Sequence, residues 1–444
     1  MLSNLKNVFK VTDLRNKILF VMVMIALYRL GVAIRVPGID PDAIKQFKKS
    51  VETGNGALGF LDLFSGGAFG SFSIFALGIM PYITASIIMQ VLGVVIPKLE
   101  KLQQEGAVGQ RKITQYTRYL AIGISTMQAT ALTFIFGNGN GNAFFGAAQR
   151  LPKNVKLLPD GMWPRGYLVI LTLVAGTAVL MWIGELISQR GIGNGMSMVI
   201  FASVVSRLPF GYYAILQEQK WFAFALLVVV SLLIVVAVVR VELAQRRIPV
   251  QFAKRVVGRR MYGGQNTYIP LKVNQSGVVP IIFASSVLLL PVLITNFLGG
   301  SNGTGWRASV QKWVDGNLVN SHGMVYIILF SVMIVAFAYF YNSIAFDPIR
   351  QADQIRRQGG FIPGVRPGPQ TERYLSKAVN RITLPGALFV AVIAITPYII
   401  LWMFDVQNFP FAGTTVLIAV GVALELMRQI DSQLMLRNYE GFLK

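Results

Sequence analysis

Ten runs of apolar residues, each near the ~20 residues an α-helix needs to cross a bilayer, dominate this sequence. They fall at about 18–35, 74–97, 116–136, 166–187, 195–216, 221–241, 278–298, 323–345, 383–404 and 410–429. Backbone that enters hydrocarbon must satisfy its own hydrogen bonds, so runs of this kind are read as spanning helices. Only 14% of the residues are charged and the mean hydropathy is +0.57. Soluble proteins carry about 25% charged residues. The expectation is an all-α polytopic membrane protein. The polar segment Met1 to Lys17 leads directly into the first run, which ends in VPGID rather than at a small-residue cleavage site. That run therefore reads as a retained span and not as a cleaved signal peptide. Cysteine is absent, which excludes disulfides and thiolate metal sites.

The net charge of +22 is spread unevenly. With the N-terminus in the cytosol, both tails and the loops after spans 2, 4, 6 and 8 are cytosolic, and these hold most of the 41 Lys and Arg. The bias predicts that both termini face the cytosol. Two of these loops are long. Residues 242–277 carry Arg246, Arg247, Lys254, Arg255, Arg259, Arg260 and Lys272, and residues 346–382 carry Arg350, Arg356, Arg357, Arg366, Arg373, Lys377 and Arg381. Both alternate apolar and aromatic residues between Gly and Pro turns, which predicts a folded cytosolic hairpin for each. Membrane anchoring needs only a few cations near span ends. Arg259, Arg260 and Arg366 lie mid-loop, which favours a docking surface for an acidic or RNA-containing partner. Ten spans also divide into two sets of five, about 1–217 and 218–444. An odd number per half requires inverted halves if they are repeats.

The stretch Phe60 to Pro97 departs from a plain span. Its first part is small and glycine-rich, with Gly66, Gly67 and Gly70 among Phe64, Ala68 and Phe69. It is too short to cross and reads as a half-helix or loop held in a protein cavity. From Ile74 the run is apolar, interrupted by Gly78 and Pro81. The ionisable groups read as membrane-embedded are Arg29, Glu185 and Glu425, with Arg29 placed to snorkel from the outer end of span 1. Ile79 and Ile83 share one helical face, and Met196, Ile200, Ile282 and Ile418 recur near the starts of three other spans. No residue set for catalysis or metal binding stands out, and no cofactor is implied. Two function classes stay open on these residues alone. One is a channel with an apolar constriction. The other is a secondary transporter, which usually places carboxylates or polar broken helices at mid-membrane. An intramembrane enzyme lacks its residue sets.

Longer stretches narrow the choice. ALGIMPYITASIIMQ, around Ile79 and Ile83, and GIGNGMSMVIFASVV (191–205) resemble the two signature stretches of the SecY family of protein-conducting channels. LDLFSGGA (61–68), AKRVVGRRMYGG (253–264), PLKVNQSGVVPIIFASS (270–286), GGFIPGVRPGPQTERYL (359–375) and the terminal YEGF (439–442) are similar to the same family, in the same order. The resemblance implies ten transmembrane helices in two inverted five-helix halves around an hourglass pore. It implies a pore ring of Ile79, Ile83, Met196, Ile200, Ile282 and Ile418, with Met196 where the family usually has Ile or Val. It implies a plug at about 61–73, including Leu61, Phe64, Ser65, Gly66, Gly67, Ala68 and Gly70, and a lateral gate between spans 2 and 7. Lys254, Arg255, Arg259, Arg260 and Arg366 would dock the SecA motor or the ribosome. Small SecE- and SecG-type subunits, preproteins bearing signal peptides, and membrane lipid complete the implied partners. The implied place is the cytoplasmic (inner) membrane. The driving ATPase would be the separate motor and not this chain.

Overall fold

The computed structural model describes residues 11–53, 62, 64–137, 165–217, 221–252, 255–257, 260–262, 266–297, 306–319, 323–404 and 413–441. The elements are α1 (Thr12–Ala33), α2 (Pro41–Thr53), α3 (Met80–Val95), α4 (Pro97–Gln104), α5 (Ala107–Gly137), α6 (Arg165–Arg190), α7 (Gly195–Gln217) and α8 (Trp221–Leu243). There follow β1 (Gln245–Phe252), β2 (Arg255–Val257), β3 (Arg260–Tyr262), β4 (Asn266–Lys272), α9 (Val279–Phe297), α10 (Trp306–Val314) and α11 (Met324–Ala345). The last elements are α12 (Pro348–Arg357), β5 (Gly360–Phe361), α13 (Pro369–Phe404) and α14 (Gly413–Gly441).

Each predicted apolar run falls on a helix. Among the described residues, the helices beginning at Thr12, Arg165, Met324 and Pro369 are long and apolar enough to cross a bilayer by themselves. Their outward faces are apolar. Met22, Val23 and Leu30 of α1, Ile328 and Val332 of α11, and Leu388 and Val392 of α13 are exposed. Faces of that kind call for lipid, and the chain is a multi-pass membrane protein.

The second span starts later than the sequence suggests. Residues 65–79 form successive turns, and the helix begins at Met80. Gly78 adopts φ +59 and its N–H donates to the Phe75 carbonyl at 2.8 Å, so the chain is still turning there. Pro81 then sits in the first helical turn, where a missing N–H costs nothing. Ile79 is the N-cap, and Ile83 N–H bonds back to its carbonyl at 3.1 Å.

The helices pack in two groups. In the first, α3 packs on α5, α5 on α6, and α6 on both α7 and α1. In the second, α11 packs on α9 and α13, while α14 packs on α8 and α13. α7 against α14 joins the groups.

The two long basic segments fold as one unit and not as separate hairpins. β1 pairs antiparallel with β4, from Gln245 opposite Lys272 to Gln251 opposite Asn266, and β2 pairs with β3. The second segment is no hairpin: α12 leads to β5, which adds to the other edge of β1 through Gln251–Phe361 and Phe252–Gly360. Strand alternation explains this union. Ile248 and Val250 point to one side of β1 and are buried. That apolar face is covered by Ala352 and Ile355 of α12 and by Leu375, Ala378 and Val379 of α13. α12 is capped by Asp347, whose carboxylate accepts the N–H of Ile349 at 3.0 Å.

Candidate functional site

The six apolar side chains singled out from the sequence come together. Ile79, Met196, Ile200, Ile282 and Ile418, each between 1% and 9% exposed, belong to one buried cluster, and Ile83 packs against it. They arrive from α3 and its N-cap, α7, α9 and α14, so both helix groups contribute. Phe64 and Ala68 of the glycine-rich segment are buried in the same cluster.

Local chemistry sets the start of α7. The Ser188 hydroxyl accepts the Gly195 N–H at 2.8 Å, and the Asn194 side-chain oxygen accepts the Met196 N–H at 3.0 Å. A polar side chain just ahead of a helix satisfies N–H groups that have no partner within it. Gly195 of α7 lies so close to the Gly184 backbone of α6 that it has no room for a Cβ. The Met196 thioether lies directly over Gly184. The flexible side chain thus fills a notch at the helix crossing and still reaches the cluster.

In the glycine-rich segment Asp62 and Phe64 are helical, and turns follow from Ser65. Gly66 and Gly67 have φ +66 and +92, and a Cβ at Gly66 would sit 2.7 Å from the Tyr28 hydroxyl. Leu61 lies outside the described residues; Phe64, Ser65, Gly66, Gly67, Ala68 and Gly70 are all buried. The segment is pinned at its exit by an antiparallel bridge between Arg35 and Ser73, with Val36 N–H on the Phe72 carbonyl at 3.0 Å. Phe69 and Phe72 stack edge-on against Phe47 of α2, at 5.6 and 5.8 Å between ring centres.

Polar groups hold the segment's other end. The Tyr28 hydroxyl donates to the Ser65 carbonyl at 2.9 Å and lies 2.6 Å from the Ser203 hydroxyl. Arg29 does not snorkel: it donates to the Gly66 carbonyl at 3.0 Å and to the Ala202 carbonyl at 3.2 Å. Arg207 forms an ion pair with Asp62. The sequence reading missed Tyr28, Asp62, Ser203 and Arg207. The signal was available for Arg207, a lone cation inside the run 195–216. Glu185 is paired with Arg118 of α5, a second cation that the sequence list omitted. Glu425 is exposed midway along α14 and accepts from Gln429 at 3.2 Å.

The docking candidates are less uniformly placed. Lys254 and Arg259 lie outside the described residues, while Arg255 and Arg260 sit on β2 and β3. Arg366 is exposed on the turn between β5 and α13, its carbonyl accepting the Thr371 hydroxyl at 3.0 Å.

The model of the SecY family matches residues 73–427. The protein translocase subunit SecY of Streptomyces galbus is 47% identical over 449 residues, covering all of both chains. The chain belongs to the SecY family. Two solved structures carry the same fold. One, of a SecY protein whose plug domain is described as stabilising the closed state of the translocation channel and maintaining a membrane seal, matches with TM-score 0.57 and 20% identity. The other is Sec61 in the canine ribosome–channel complex, with TM-score 0.52 and 18% identity. Each match covers 93% of this chain and 90% of the other. The transporter reading finds no support in any of these SecY-family likenesses.

Proposed function

We propose that this SecY-family chain is the channel subunit of a protein translocase, and that its pore is closed in this conformation. It passes unfolded secretory proteins across the cytoplasmic membrane and releases membrane proteins sideways into lipid. The observation that carries this reading is the convergence of six apolar side chains from four separated spans, with the glycine-rich segment seated on them. An apolar constriction excludes water by dewetting and so blocks ions. It also makes no sequence-specific hydrogen bonds, which suits a passage for chains of every sequence.

On this reading Ile79, Ile83, Met196, Ile200, Ile282 and Ile418 are the pore ring, and residues about 61–73 are the plug. The ten helical runs are ten crossings, in halves 1–217 and 218–444 of inverted topology, with both termini cytosolic. The fused unit built on β1, β4, β5 and α12 is the cytosolic docking platform, with Arg366 exposed on it. The SecA motor or a ribosome would bind there, SecE- and SecG-type subunits would flank the helices, and ATP would be hydrolysed by the motor. The absence of native cysteine gives a clean test. A single Ile200→Cys, in chain reconstituted with SecA and ATP, should form a disulfide with a cysteine placed in a stalled secretory precursor. Cross-linking from the exposed Val332→Cys but not from Ile200→Cys would contradict the pore assignment.

A further inference from the structure

The plug is held by two kinds of contact that draw on different parts of the fold. Phe64 and Ala68 are buried in one apolar cluster with side chains from both helix groups, Ile282 and Ile418 among them. Among the described residues, the side-chain polar contacts to the segment from other elements come from α1 and α7, through Tyr28, Arg29, Ser203 and Arg207. Asp62 organises the segment from within. One carboxylate oxygen accepts the Gly70 N–H at 2.7 Å, and its backbone carbonyl accepts from Gly67 N–H at 2.9 Å and from the Ser65 hydroxyl at 3.1 Å. The other carboxylate oxygen pairs with Arg207. The side chains are only 7% and 20% exposed. The Arg207 guanidinium carbon would lie 3.0 Å from a Cβ at Gly67, so the cation lies directly against the plug backbone.

We infer that Asp62 and Arg207 are positioning residues that latch the plug in its closed seat, a role that rests on the plug reading above. A buried ion pair adds little net stability over apolar packing, and its best-attested use is to fix register. Here it fixes one turn-rich segment on one helix. If the helix groups part, the plug loses its apolar seat on α9 and α14 and keeps its hold on α1 and α7. Plug release is then a second step after parting of the groups. Neutralising one member of the pair leaves the other charge buried without its counter-charge, and the plug leaves its seat so that the charge can hydrate.

The test reads plug position directly. Ala68→Cys places a reporter at a fully buried plug position in a chain with no other cysteine. In vesicles, a membrane-impermeant maleimide added to the outer face should label it slowly. Asp62→Asn and Arg207→Gln should each raise the labelling rate and the resting ion conductance by at least about tenfold, the shift that ~1.4 kcal/mol produces. The double variant, which strands no charge, should return within about threefold of the parent, a non-additivity that mere loss of packing does not give. Ala129→Cys, in the core of α5, should stay unlabelled in every background. Labelling there would show general loosening and overturn the positioning role. Gly66→Val, which cannot fit beside Tyr28, separates the two readings. If it leaks while both single charge variants stay sealed, the latch is refuted and the plug stands. If all three stay sealed, the plug reading itself fails.

Discussion

Ile418→Asn tests the pore ring most sharply. Ile418 is 2% exposed and packs in the cluster that holds Ile79, Met196, Ile200 and Ile282. Full burial of an isoleucine is worth about 1.5–3 kcal/mol, most of which the closed state loses on substitution. A buried side-chain amide without a partner costs a further ~1–3 kcal/mol. In an open, wetted pore the amide faces water and neither cost applies, so both fall on the closed state. A two-state gate shifts tenfold per ~1.4 kcal/mol, so the lower figures alone favour opening by more than tenfold. The amide also offers hydrogen bonds to water at the constriction and lowers the barrier to wetting. The variant should pass ions at rest and should export a reporter whose signal sequence is defective. Both are measured in one strain, as ion leak and as reporter outside the membrane. If Ile418 faced lipid or served only as packing, insertion or stability would fall with no leak and unchanged signal stringency. That result would remove Ile418 from the ring and undermine the other five assignments.

Other perturbations give distinct outcomes. Arg366→Glu puts an anion on the exposed turn after β5, adding repulsion as well as removing a contact, and should largely abolish SecA-driven transport while membrane insertion stays normal; normal transport rates would exclude a docking role. Gly66→Val should raise closed-channel conductance in planar bilayers, because φ +66 and the nearby Tyr28 hydroxyl reject a branched side chain. Gly184→Ala should push the Met196 thioether off its notch, lowering the thermal midpoint and raising the leak together; overpacking costs about 1–3 kcal/mol. A midpoint that falls with no added leak would place Met196 away from the seal.

The order of apolar runs made the helices legible, because a span declares itself locally by length and composition. The pairing of β1 with β4 was legible for a similar reason, since strand alternation and turns lie close together in the chain. The start of α3 was not. Phe75, Leu77 and Ile79 are apolar whether they lie in turns or in a helix, and periodicity does not separate the two over so few residues. What decides it is the backbone of Gly78, a conformation and not a composition. The union of the two long basic segments was equally hidden: Ile248 and Val250 show that β1 has a face to cover, but not that α12 and α13 cover it. The ring residues were recognisable only through family resemblance, since each isoleucine alone reads as ordinary packing. The plug contacts were the least legible. Asp62 and Arg207 are isolated charges in apolar stretches, which flags each as unusual, but nothing local pairs them. Arg29 shows the hazard of assuming the default: its position suggested snorkelling, and the carbonyls of Gly66 and Ala202 claim it instead.

The central claim is that this chain forms the passage for unfolded protein. The direct measurement places the purified chain, with SecE- and SecG-type subunits, in lipid vesicles and supplies a secretory precursor, SecA and ATP. The Streptomyces galbus relative runs in parallel as the positive control. Precursor should become protected from external protease only when chain, motor and ATP are all present, and Ile418→Asn vesicles should also protect a precursor with a defective signal. Full protection by the control and none by this chain, in vesicles that contain it correctly inserted, would contradict the claim.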